Sequence, residues 1–92
     1  MKQWQCRLDA ESVARFRREL DVPEIKNQVT CQASADAPAM HVREQARDAF
    51  VVLALQENPA LDRTRVRGLL EELVIICESE DEIAGADSEE GR

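Results

Sequence analysis

The chain has 92 residues and a net charge of −7, enough for one small domain whose core must be built from few aromatic side chains. No apolar run approaches the roughly 20 residues of a membrane span, and the first residues lack the apolar core of a signal peptide. Three cysteines without a C-x-x-C pair are not typical of a secreted disulfide framework. We therefore predict a cytoplasmic protein that does not enter a membrane.

The negative charge is concentrated at the C-terminal end. Residues 1–77 hold 11 Lys or Arg against 12 Asp or Glu, whereas residues 78–92 hold seven acidic residues and one arginine. The last 15 residues have too little apolar surface to offset the entropy of ordering. We predict a domain over residues 1–77 and a disordered acidic tail over residues 78–92.

The N-terminal third predicts a strand, a helix and a second strand. Residues 2–8 alternate between apolar and polar side chains, as in a half-buried strand. Asp9 is a suitable N-cap for a helix that ends before Pro23. Residues 25–35 alternate again and form the second predicted strand. A right-handed crossover would place the two strands parallel.

Two further helices are expected after the second strand. The first begins near Pro38 and ends near Asn58, where a left-handed cap and the following proline stop it. The second continues to about Glu78 and carries Gly68 in its interior, at a cost of about 1 kcal/mol relative to alanine. Close approach of another backbone would compensate for that cost. The predicted fold class is therefore a small α+β domain, in the order β-α-β-α-α, whose two-stranded sheet stands alone or is completed by dimerisation.

Candidate chemical sites are sparse. The one histidine, His41, has Glu44 three residues later, which is too few groups for a metal site or a catalytic pair. Cys6 and Cys31 lie on the apolar sides of the two predicted strands, where a thiol acts as a small hydrophobe. We predict no catalytic, cofactor or metal site, and a protein that is not an enzyme.

Protein–protein recognition is the favoured function. On the predicted last helix, Val74 and Ile75 belong to an apolar run that extends around the helix instead of along one stripe. Arg63, Arg65 and Arg67 stand near the start of that helix, where they oppose its dipole. A phosphate, an acidic partner surface or local pairing with acidic residues of the same helix would account for them. We predict that these five residues bind another protein, as in a small regulator, adaptor or inhibitor, with a homodimer as one arrangement. By analogy of size and charge alone, a phage or mobile-element protein that blocks a host nucleoprotein machine has similar properties.

A DNA-binding alternative rests on the first strand. Gln3, Gln5 and Arg7 form its polar side, and these residue types pair with adenine and guanine in the major groove. A strand followed by an Asp-initiated helix resembles the ribbon-helix-helix repressors over the first 20 residues or so. The resemblance implies a dimeric ribbon in which this strand pairs with its copy and reads DNA, as in a repressor or antitoxin. The chain departs from that family after Val22, where a second strand pattern precedes the next helix.

Overall fold

A three-stranded antiparallel sheet and three helices form two layers in the computed structural model, which describes residues 2–79. The elements are β1 (Lys2–Leu8), α1 (Ala10–Leu20), β2 (Gln28–Ala33), α2 (Ala39–Glu57), α3 (Arg63–Glu72) and β3 (Ile75–Ser79). The predicted α+β class and the three helices are confirmed. The predicted sheet of two strands is wrong, because a third strand from the same chain completes it.

The first strand is the centre of the sheet. The strand order is β2-β1-β3, and β1 pairs antiparallel with both neighbours. Cys6 stands opposite Val29 on one side and opposite Cys77 on the other. The expected parallel crossover does not occur, and no second copy is needed to pair with β1.

The third strand replaces the last turns of the predicted final helix. The backbone is already extended at Leu73, with φ −96° and ψ 161°, so α3 ends at Glu72. Val74 N–H donates to Ser12 Oγ at 2.9 Å, and Asp9 N–H donates to Val74 O at 3.3 Å. Three consecutive β-branched residues begin at Val74, and such residues favour a strand over a helix.

Local signals account for the start of α1 and α3. The Asp9 carboxylate accepts from Ser12 N–H at 2.8 Å, and hydrogen bonding to the Ser12 side chain and to this amide lowers the pKa of Asp9. Asp62 accepts from Thr64 N–H at 3.2 Å in the same way. Both helices therefore begin where an aspartate satisfies an amide that the helix leaves free.

The core lies between the sheet and the helices. Phe16 of α1 and Phe50 of α2 meet edge to face, with ring centroids 6.2 Å apart and planes at 71°. Around this pair the buried apolar side chains come from every element. They include Cys6, Leu8, Leu20, Cys31, Val42, Ala46, Val51, Val66, Leu70 and Ile75.

Two further expectations concern the acidic tail and the membrane. Glu78 and Ser79, the first residues of the predicted acidic tail, form the end of β3. Residues 80–92, with their predicted disorder, lie outside the described residues. Between residues 2 and 79, no helix combines the length and the apolar character that crossing a membrane requires.

The strand assignment reverses what was expected of Ile75. Its side chain is 7% exposed and lies in the core, whereas Val74 is 52% exposed. We expect Ile75→Ala to lower the free energy of unfolding by about 2–5 kcal/mol, because it removes buried methylenes and leaves a cavity. Val74→Ala should change it by less than about 0.5 kcal/mol. Urea unfolding of both variants measures the difference, and equal losses would contradict the assignment of Ile75 to β3.

Candidate protein-interaction surfaces

The face of the sheet turned away from the helices is polar. Alternate residues of each strand point to it, because the register keeps β1, β2 and β3 in phase. These residues are Gln3, Gln5 and Arg7 on β1, Gln28, Thr30 and Gln32 on β2, and Ile76 and Glu78 on β3. We call this set the outer sheet face.

Side chains of the outer sheet face bind one another across the strands. Gln28 Nε2 donates to Gln5 Oε1 at 2.7 Å, and Thr30 Oγ1 donates to the same oxygen at 3.3 Å. Arg7 Nη2 lies 3.8 Å from Glu78 Oε1, with about half of each side chain exposed (46% and 51%). An exposed pair of this kind contributes at most about 1 kcal/mol. A shallow depression of about 150 Å³ lies among these residues, with the half-buried Ile76 at its side.

The DNA-binding alternative is only partly compatible with this geometry. Gln3, Gln5 and Arg7 do share one face, as the alternation predicted. However, a ribbon needs a free edge on β1, and both of its edges are hydrogen-bonded within the chain. The dimeric ribbon is therefore wrong for this fold. Glu78 also forms an ion pair with Arg7, which offsets the positive charge that DNA binding would use.

The five residues predicted to bind a partner do not form one patch. Ile75 faces the core, which corrects its assignment to a surface. Arg67 forms an ion pair with Asp48 of α2, which raises the pKa of Arg67, and Arg65 Nη2 donates to Glu19 O of α1 at 3.3 Å. Arg63 is exposed at the start of α3, and Val74 is exposed after its end. The arginines thus lie on several sides of α3.

A groove runs between α1 and α3. Arg15 bridges it, since its guanidinium bonds Glu72 Oε1 at 2.8 Å and also bonds Glu19. Part of the groove has a volume of about 300 Å³, and the buried Leu20 and Leu69 contribute to its lining. Gly68 lines the groove as well, and a Cβ placed on it would meet no atom within 4 Å. No backbone of the described chain approaches Gly68, so the compensation expected for this glycine does not occur within the domain.

The three cysteines meet on the inner face of the sheet. Cys6 lies at its centre, directly opposite Cys77, with Cys31 on the other neighbouring strand. Burial raises the pKa of the Cys6 thiol, and its hydrogen bond with Cys77 raises it further. Burial also raises the pKa values of Cys31 and Cys77. A neutral, buried thiol is a poor nucleophile, so the cluster serves as core packing.

The sequence placed Cys6 and Cys31 on strands but did not place Cys77 on one. The alternation predicted Cys6 and Cys31 on the apolar sides of two strands, and these strands are neighbours in the sheet. Cys77 falls within the predicted last helix, whereas in β3 it packs against the core on the same side as Ile75 and Ser79. Among residues 2–79, no three His, Cys, Asp or Glu side chains are arranged to hold a metal ion. His41 is exposed, and its Nε2 lies 3.2 Å from Gln45 Nε2.

Comparison with known proteins gives no assignment. No protein-family model, curated protein or solved structure matches this chain. Any function must therefore be argued from the surfaces described above.

The raised thiol pKa values predict a loss of stability in alkali. An ordinary thiol ionises near pH 9.0, and the unfolded chain releases the Cys6 proton there while the folded chain retains it. The stabilisation is therefore complete below about pH 9 and decreases as the pH rises further. We expect the free energy of unfolding, measured with urea in a phosphine reductant, to fall between pH 8 and pH 10. Cys6→Ala should show a shallower fall, and identical slopes would contradict the burial of a neutral thiol.

Proposed function

We propose that this chain is a small protein-binding regulator, an adaptor or an inhibitor, and that it recognises its partner with the outer sheet face. The observation that carries this proposal is the one-sided packing of the sheet. Cys6 and Leu8 of the central strand are 0% and 1% exposed, whereas Gln3 and Arg7 of the same strand are exposed. One face therefore supplies the core, and the other is available for contact with a partner.

The chemistry of the outer sheet face suits a protein partner. Its glutamine amides offer both donors and acceptors, and Ile76 adds an apolar contact beside them. Polar groups that surround a small apolar centre are the usual composition of a transient interface. The strands at the margins add a second mode of binding, because within the described residues β2 and β3 each pair only with β1. β2 contains neither proline nor lysine, the residues that often protect an edge from strand addition.

The charge of the chain and the position of Trp4 disfavour binding to nucleic acid. The net charge of the chain is −7, and on the outer sheet face Arg7 is balanced by Glu78. Binding to a phosphate backbone depends on unneutralised Lys and Arg. Single-stranded binding also uses exposed aromatic rings for stacking, but Trp4 lies on the inner side of β1. The idea of a phage or mobile-element inhibitor of a nucleoprotein machine is compatible with these features and rests on size and charge alone.

A pair of matched variants tests the location of the binding surface. Ile76→Arg introduces a charge in the outer sheet face, and Val52→Arg introduces the same charge at an exposed position of α2. We expect the immobilised wild-type chain and Val52→Arg to retain the same stoichiometric protein from an extract of the native host, and Ile76→Arg to retain at least about tenfold less. Urea unfolding of each variant verifies that the fold is intact. Equal retention by the two variants would place the partner elsewhere.

An electrophoretic mobility assay separates the protein-binding proposal from the DNA-binding alternative. We expect the wild-type chain to leave the mobility of duplex DNA unchanged at low salt, because its outer sheet face has no excess positive charge. Arg7→Glu is the variant that tests DNA binding, because Arg7 is the positively charged residue that β1 contributes to the outer sheet face. Retardation by the wild type that weakens with salt and disappears in Arg7→Glu would establish the alternative instead.

A further inference from the structure

Gly68 is a glycine that the described domain does not need. It lies in the interior of α3, is exposed, and does not have a positive φ angle. A Cβ at this position would meet nothing within 4 Å, so packing inside the domain does not require its absence. A glycine in a helix interior is nevertheless destabilising relative to alanine. An element outside the domain that approaches the α3 backbone closely would explain it.

The charges of α3 are arranged against its helix dipole. Arg63 and Arg65 stand in the first turn, and Glu71 and Glu72 stand in the last turn. The positive end of a helix dipole is its N-terminus, so this order is unfavourable at both ends apart from the capping carboxylate of Asp62. Within residues 2–79, neither Arg63 nor Glu71 forms an ion pair. The helix therefore presents a positive half and a negative half to the surface.

Gly68 and the charge distribution of α3 both fit a second α3 that packs against the first in the antiparallel direction. Arg65 precedes Gly68 by three residues, and Glu71 follows it by three. If two copies cross at Gly68, Arg65 of each copy faces Glu71 of the other. The same operation places Thr64 opposite Glu72. The positive half of each helix then lies on the negative half of its copy, and the two helix dipoles run in opposite directions, which is favourable.

We propose that this chain forms a homodimer in which the two α3 helices cross antiparallel, with Gly68 on the two-fold axis. Gly68 lets the backbones approach closely, and the groove between α1 and α3 receives side chains of the second copy. Arg15 holds Glu72 at 2.8 Å, which leaves Glu71 for Arg65 of the second copy. This interface is separate from the outer sheet face and does not depend on the proposed function.

A substitution at Gly68 separates association from folding. Gly68→Leu adds a side chain where the domain has open space, so the free energy of unfolding of the monomer should not decrease. In the dimer the same side chain would keep the two backbones apart. We expect sedimentation equilibrium to show a concentration-dependent dimer for the wild type and a dissociation constant at least about tenfold higher for Gly68→Leu. A wild-type chain that stays monomeric up to about 1 mM, or a dimer insensitive to Gly68→Leu, would overturn the proposal.

Charge reversal tests the direction of the crossing. Arg65→Glu and Glu71→Arg should each weaken the dimer, because each places like charges opposite one another. The double variant restores opposite charges and should regain the wild-type dissociation constant within about threefold. Lys26→Glu makes the same change of charge in the loop between α1 and β2 and should leave the dimer unchanged. If the double variant is no stronger than the single variants, the antiparallel arrangement is wrong.

Discussion

Hydrogen bonding along both edges of β1 is the constraint on which the rest of the structure depends. β2 and β3 both pair antiparallel with this strand, so residues near the two ends of the described chain meet at its centre. The pairing brings Cys77 opposite Cys6 and ties Val74 to the start of α1 through Ser12 and Asp9. A central strand also leaves no edge of β1 for another molecule. Further strands can join only at the margins of the sheet.

One-sided packing follows from the alternation of β1 and defines the chemistry of each face. The inner face holds thiols that burial keeps neutral, and the helices cover it. The outer sheet face holds amides, one exposed ion pair and Ile76. Since a single strand contributes both Cys6 and Gln5, the division between core and contact surface is set residue by residue along β1.

The stability of the domain alone does not explain the glycine and the charge order of α3. Its interior glycine and its reversed charges both weaken the isolated helix, and neighbours satisfy only part of the charge, through Asp48 and Arg15. Weakening features retained on an exposed helix are expected where an assembly gains what the monomer loses. The Gly68 side of α3 and the outer sheet face are distinct surfaces. The proposed self-association and the proposed partner binding would therefore not compete for the same surface.

Local signals in the sequence determined the α+β class, the first strand with its polar side, the cap at Asp9 and three helices. They did not determine the end of α3. Leu69, Leu70, Leu73 and Ile76 repeat at helical spacing, and only the β-branched run from Val74 indicates a strand. Whether the segment after Val74 forms a strand or continues the helix depends on its pairing with β1, almost 70 residues away. Tertiary structure also decided that Ile75 is buried, that the three cysteines meet, and which arginines have partners, because such contacts depend on segments far apart in the chain.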